Sequence, residues 1–412
     1  MLFSGTVLSQ AILFLMSPVL SRLYSAEDFG NFSNYNAWVM VLAILSNLRY
    51  EHAIIISKNK EESYKVLNLT VILSFLGFLV FALLSVLSPW LTFIGYIQQI
   101  KQIIPFLAIG TLFVCINSVF IQLHIKYARF RIYTIVNFVQ VLLIIGTQVS
   151  FGFLDVENGL IFGTIIATAV SGAVLFYFFF KRESYRHLKK LISWEVLRST
   201  AKEYIDLPKF SMPTDVVNGV VQQFAPVIIL AYFDPTIAGL YFFSVRVIKT
   251  PIIVFNSSFS AVLRQKAAEL YINRRPLNHL YRRTLLNSIA ISAIPFAVLF
   301  FYGGPIFTFV FGDQWTESGE ILRILTPGFF VEFSALPLAS LFLVTNNQKI
   351  NLMIQATGFV ALFAVIYLGS QFGGDFIRTC YYISALTIFV NLVSLVYSYR
   401  VAVVWPQKSG KV

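Results

Sequence analysis

The chain has 412 residues, 57% of them hydrophobic and only 12% charged, with 42 phenylalanines. A soluble domain carries about 25% charge, so this composition excludes a water-exposed globule. The net charge of +12 raises nucleic acid as a partner, but that charge is segregated by connector and needs no such partner. In chain order, twelve apolar stretches fall at 2–23, 29–48, 66–87, 103–125, 132–153, 159–180, 210–233, 237–263, 284–302, 316–344, 350–369 and 376–399. A hydrocarbon core about 30 Å thick is crossed by roughly 20 residues of helix. The pattern therefore predicts an all-α polytopic membrane protein with twelve transmembrane helices.

The opening run MLFSGTVLSQAILFLMSPVL lacks a basic n-region and reads as the first spanning helix. With that end placed inside, the inward connectors hold 25 Lys and Arg and the outward ones 3, namely Arg22, Lys101 and Arg378. Over short loops this is a strong positive-inside bias, and it puts both termini in the cytoplasm. Cys115 and Cys380 lie within spans and read as small buried hydrophobes. His52, His124, His187 and His279 are scattered, and no phosphate-binding loop, zinc-helix or nucleophile-elbow motif occurs. No cofactor and no metal is implied, and no enzyme.

The spans divide into two six-helix lobes. Residues 1–180 form the first, 181–206 a cytoplasmic linker, and 207–412 the second. A weak internal repeat supports the division. SPVLSRLYSAEDFG from Ser17 parallels APVIILAYFDPTIAG from Ala225, matching Pro18 with Pro226 and Gly30 with Gly239. An even number of spans per half makes the repeat parallel, and substrate sites in such transporters tend to lie between halves. Ser25 with Asp28, and Asp234 before Pro235, read as helix caps. His187–Ile205 alternates apolar with basic residues and suits a helix lying on the inner membrane surface. Pro18, Pro226, Pro251, Pro327 and Pro337 fall inside spans, where each can kink its helix.

Charge inside a span is the chemical signal. A mid-membrane charge costs about 2.5–3.5 kcal/mol on the insertion scale, so such residues face a wet cavity or a partner. Arg246 and Lys249 share a face of the eighth span, and something anionic should offset them: a protein carboxylate or a passing substrate. The candidate carboxylates are Asp215, which heads a polar stripe with Asn218 and Gln222, and Glu332 in the tenth span. Two acids at different depths look insufficient, which favours a cation-lined substrate cavity. Glu320 and Arg323 read as a mutual pair. Gln10, Ser17 and Ser21 share a face of the first span, Asn34 and Trp38 one of the second, and Arg22 and Arg49 end those two spans.

The runs SPVLSRLYSAEDFGNFS and LRYEHAIIISKNKEE, with LPKFSMPTDVVNGVVQQFAPVIILAYFDPTIAGLYFFSVRVIKTP, VLRQKAAE and FYGGPIFTFVFGDQWTESGEILRILTP, resemble polysaccharide-export flippases of the Wzx type. These belong to the multidrug/oligosaccharidyl-lipid/polysaccharide exporter superfamily. The resemblance implies two six-helix lobes in a V-shaped exporter fold working by alternating access in a bacterial inner membrane. It implies a cargo of oligosaccharide on undecaprenyl pyrophosphate, moved to the outer leaflet for O-antigen, capsule or exopolysaccharide synthesis. Membrane lipids, H+ or Na+ coupling through Asp215 or Glu332, and a polysaccharide polymerase complete the expected partners. Arginines on helices one, two and eight line the cavity in related lipid flippases, which points to Arg22, Arg49 and Arg246. The alternative is an ion-coupled multidrug antiporter of the same superfamily. Its cationic cargo calls for a carboxylate-rich cavity.

Overall fold

The computed structural model describes residues 2–91, 96, 98, 100, 102–181, 192–273, 275–372 and 375–404. Among these residues the secondary structure is helical throughout. The chain separates into two compact units, Met1–Val227 and Ile228–Val412.

The first unit contains α1 (Leu2–Leu15), α2 (Ser17–Leu23), α3 (Ala26–Asn47), α4 (Ala53–Ile56), α5 (Lys60–Leu87), α6 (Ile104–Lys126), α7 (Phe130–Phe153), α8 (Gly159–Phe180), α9 (Trp194–Glu203) and α10 (Met212–Gln223). Its end and the start of the second unit share α11 (Ala225–Tyr232). The second unit continues with α12 (Pro235–Ile272), α13 (Asn278–Phe311), α14 (Thr316–Ala339), α15 (Leu341–Val344), α16 (Gln348–Gln371) and α17 (Phe376–Tyr399).

Nine helices of the described residues are long and apolar enough to cross a membrane. Two further spans are bent pairs, Ala26–Asn47 with Tyr50–Ile56 at 66° and Leu207–Gln223 with Ala225–Tyr232 at 61°. The first predicted span is the shorter apolar helix Leu8–Leu23, interrupted at Met16 before Pro18. Every predicted span thus has its helix, and the prolines sort into two kinds. Pro18 and Pro226 sit at the first turn of a new helix segment after a break, where a missing N–H costs little. Pro251, Pro327 and Pro337 lie inside continuous helices.

The caps form as the residue types dictate. The Ser25 hydroxyl accepts from the Asp28 N–H at 3.2 Å while the Asp28 carboxylate accepts from the Ser25 N–H at 2.9 Å, a reciprocal capping box. Asp234 accepts from the Ile237 N–H at 2.9 Å ahead of Pro235.

Of the expected surface helix, Trp194–Glu203 is helical, and residues 182–191 lie outside the described residues. Trp194 is 77% exposed. The linker is nonetheless tied to the first unit. Tyr204 donates to the Glu62 carboxylate, the Tyr50 hydroxyl donates to the Ala201 carbonyl at 2.9 Å, and Tyr204 and Leu207 pack on a core of Ile54, Tyr64, Leu123 and Phe179.

Candidate functional site

In the first unit the site begins at a backbone break. After α3, Leu48 and Arg49 both adopt left-handed conformations, with φ of 50° and 63°. For residues carrying a Cβ this costs on the order of 1–2 kcal/mol each, a strain that persists only where surrounding contacts fix it. The break turns the chain into a short 3-10 turn, Tyr50–His52, and on into α4. It also aims Arg49 sideways instead of on along the span.

The partner of Arg49 arrives from α10. That helix lies against α3: a Cβ on Gly219 would make ordinary van der Waals contact, 3.6 Å from the Met40 methyl and 3.7 Å from Ile44. One turn earlier on α10, Asp215 Oδ2 comes to 2.7 Å from Arg49 Nε, an ion-pair contact in which the N–H does not line up as a hydrogen bond. On its other side Arg49 Nη1 donates to Glu51 Oε1 at 3.2 Å. Arg49 therefore bridges two carboxylates. Asp215 is 32% exposed, whereas Glu51 is 3% exposed and its Oε2 has no hydrogen-bond partner.

Beside this triad lies a cavity of about 260 Å³ lined by Asn36, Asn47, Arg49, Glu51, Cys115 and Ser118 among others. Around it Ser74 donates to Asn47 Oδ1 at 2.7 Å, and His52 Nδ1 is 3.4 Å from Gln122 Nε2. Higher on α3, Trp38 Nε1 donates to the Tyr96 hydroxyl at 2.9 Å, and its ring meets Phe224 edge-on at 5.1 Å. Asn34 is fully buried and donates to the Gly30 carbonyl.

In the second unit α12 is locked before it presents its cations. Ser244 donates to the Ser318 carbonyl at 2.7 Å, Ser318 donates back to the Leu240 carbonyl at 3.1 Å, and buried Phe243 packs on Trp315 at 4.1 Å. Arg246 follows within a turn and is half-buried. Lys249 Nζ is 3.6 Å from Glu332 Oε1 and 5.5 Å from the centre of the Phe329 ring. Glu320 and Arg323 pair at 2.7 Å, as their spacing predicts.

The predicted residues thus resolve into distinct roles. Of the two offsets expected for the eighth span's cations, a protein carboxylate or a substrate, Lys249 has the first in Glu332. Arg246 makes no ion pair among the described residues. Asp215 serves Arg49, so the sequence's isolated acid and its span-ending base form one unit. Asn218 is half-buried and Gln222 exposed on the same helix. Arg22 is exposed at the C-terminal end of α2. Glu51 was missed altogether because its segment reads as a polar connector. The one available signal was a glutamate two residues from an arginine in the run LRYEHAIII, which is otherwise apolar downstream.

Among curated proteins, no match to the sequence is found. Solved structures share the fold. A lipid II flippase, MurJ, in an inward closed conformation matches with a TM-score of 0.77 at 16% identity, covering 97% of this chain and 87% of its own. An inward-facing multidrug resistance MATE family transporter of the MOP superfamily matches with a TM-score of 0.73 at 13% identity, covering 98% and 99%. A MOP superfamily transporter from Pyrococcus furiosus matches at 0.55 and 13% identity, covering 97% and 93%. The fold is therefore that of this transporter superfamily. A family model described as polysaccharide biosynthesis protein matches residues 19–320, and the chain belongs to that family.

Proposed function

We propose that this protein is a flippase that carries a lipid-linked oligosaccharide, a polyisoprenyl pyrophosphate bearing the sugar unit, from the cytoplasmic to the outer leaflet of a bacterial inner membrane. In the second unit Arg246 is the pyrophosphate-binding cation; in the first, Arg49 with Asp215, Asn218 and Gln222 is the polar surface offered to headgroup and sugars; the lipid tail stays in the bilayer. Lys249 and Arg22 add positive potential along the path. Both termini face the cytoplasm, and the product feeds surface polysaccharide assembly, including its polymerase.

The carrying observation is Arg246, a half-buried guanidinium in an apolar span with no carboxylate in ion-pair contact among the described residues. A buried charge is tolerated when a partner arrives, and guanidinium is suited to bidentate phosphate recognition. A cationic drug as cargo fits poorly. It would need free deep carboxylates, yet Asp215 and Glu332 are both engaged by cations. The family's polysaccharide description supports a glycan cargo. The test is lipid extraction from a deletion strain. Lost surface glycan with accumulation of its lipid-linked precursor supports the reading, and normal glycan with lost dye efflux overturns it.

A further inference from the structure

We propose that the furrow between α16 and α17 binds one anionic phospholipid of the inner leaflet, with an acyl chain in the furrow and the phosphate against Lys349 and Arg400. This site shares no residue with the cargo path, and it shares with the reading above only the cytoplasmic placement of this end of the two helices.

Among the nine described helices long and apolar enough to cross a membrane, α16 is the least covered: 6% of its apolar window is buried. It packs on α17, and the two helices meet at Gly358, where a Cβ would lie 3.1 Å from both methyls of Val390. Along that contact runs a cavity of about 360 Å³, lined by Ile350, Met353, Thr357 and Ala361 of α16 and by Leu386 and Tyr397 of α17 among others. Ile350 and Ala361 are eleven residues apart, and so are Leu386 and Tyr397. Eleven residues of helix rise about 16 Å, which is half of a hydrocarbon core about 30 Å thick. The furrow is therefore one leaflet deep. An acyl chain of the near leaflet matches that depth, whereas a long polyisoprenyl tail outruns it.

The shallow end of the furrow is basic. Lys349 stands one turn before the lining residue Met353 on the same side of α16. Arg400 stands one turn after Tyr397, and its guanidinium carbon lies 5.9 Å from the centre of that ring. Both cations are exposed, and neither forms an ion pair among the described residues. No acid lies on either helix. After Glu332 the sequence holds one, Asp375, at the opposite end of the pair. Basic pockets between membrane helices at the cytoplasmic surface attract anionic headgroups. Here Arg400 offers paired N–H donors to phosphate oxygens and Lys349 a point charge.

The experiment is native mass spectrometry of the full-length protein, equilibrated in detergent with equal amounts of phosphatidylglycerol and phosphatidylethanolamine of the same acyl chains. The wild type should retain one phosphatidylglycerol in preference to phosphatidylethanolamine, on the order of tenfold. The double variant Lys349→Gln/Arg400→Gln should lose the preference. Thr357→Phe, which fills the furrow and keeps both cations, should lower phosphatidylglycerol occupancy severalfold. No preference in the wild type overturns the proposal, as does a preference that survives the double substitution or undiminished occupancy in Thr357→Phe. Crosslinking of the wild type in vesicles, with phosphatidylglycerol carrying a photoreactive acyl chain, needs no variant. Label concentrated on 350–361 and 386–397 supports the site, and label spread evenly over the lipid-facing helices overturns it. Displacement of phosphatidylglycerol by an equal concentration of geranylgeranyl pyrophosphate would give the furrow to the carrier's tail, overturning this proposal and leaving the cargo reading intact.

Discussion

Arg49 Nε lies 2.7 Å from Asp215 Oδ2, joining the break after the second span to the helix that opens the seventh. Arg49 also holds the buried Glu51, so the two contacts are unequal in energy. Removing Arg49 strands a carboxylate that is 3% exposed, a loss of about 3–5 kcal/mol. Removing Asp215, at 32% exposure, breaks a solvent-screened contact worth about 1 kcal/mol or less. Thermal melting in detergent should therefore show a large drop for Arg49→Ala and a small one for Asp215→Asn. The double variant Arg49→Ala/Glu51→Gln should recover most of the loss, because it removes the stranded charge.

The cations of the eighth span should differ in weight. Glu332 at 3.6 Å already offsets Lys249, whereas Arg246 has no ion pair among the described residues. A charge-assisted contact to phosphate is worth about 1.5–3 kcal/mol, a factor on the order of tenfold or more. Glycan export at matched membrane levels should fall by that factor in Arg246→Ala and by less in Lys249→Ala. Glu332→Gln should leave binding of the anionic ligand as tight or tighter, because it frees Lys249.

These two clusters show what the sequence discloses and what it withholds. Span positions were readable because twenty apolar residues have one cheap solution in a bilayer, and the Ser25 and Asp234 caps because their chemistry is local. The pairing of Lys249 with Glu332 was not, since residues on different helices meet only through packing. The bend at Leu48–Arg49 carries neither glycine nor proline, the usual marks of left-handed backbone. Its strain is imposed by tertiary contacts, and Glu51, just beyond it, consequently read as connector. Compactness separates the units at Val227/Ile228, after the break at Phe224.

The crossing of α13 and α14 depends on the absence of a side chain. A Cβ on Gly319 would lie 2.8 Å from Gly304 Cα and 2.9 Å from the Gly303 carbonyl oxygen, both backbone atoms that cannot rotate away. Gly319→Ala should cost about 1–3 kcal/mol through forced separation of the helices. A lowered melting point and a loss of the monodisperse peak in size-exclusion chromatography would report it.

The latch between the linker and the first unit should be separable from transport chemistry. Tyr204 donates to Glu62, and burial first, then the neighbouring carboxylate, raises the tyrosine above its ordinary value of 10.0. With the folded value raised, the associated stability is complete below pH 10.0 and fades only as pH rises beyond it through the folded value. Tyr204→Phe should increase hydrogen exchange across Trp194–Glu203 at neutral pH, while the melting of the helical core changes little. Unchanged exchange there would mean that the hydrophobic contacts of Tyr204 and Leu207 hold the linker without the hydroxyl.

The most direct measurement is headgroup accessibility in sealed proteoliposomes carrying a polyisoprenyl-pyrophosphate-linked oligosaccharide in one leaflet. The account predicts that the wild-type protein exposes the sugar to a lectin on the opposite face, and that Arg246→Ala, incorporated at equal density and folded by melting temperature, slows this at least on the order of tenfold. Undiminished movement in Arg246→Ala, or no movement beyond protein-free vesicles in the wild type, would contradict it.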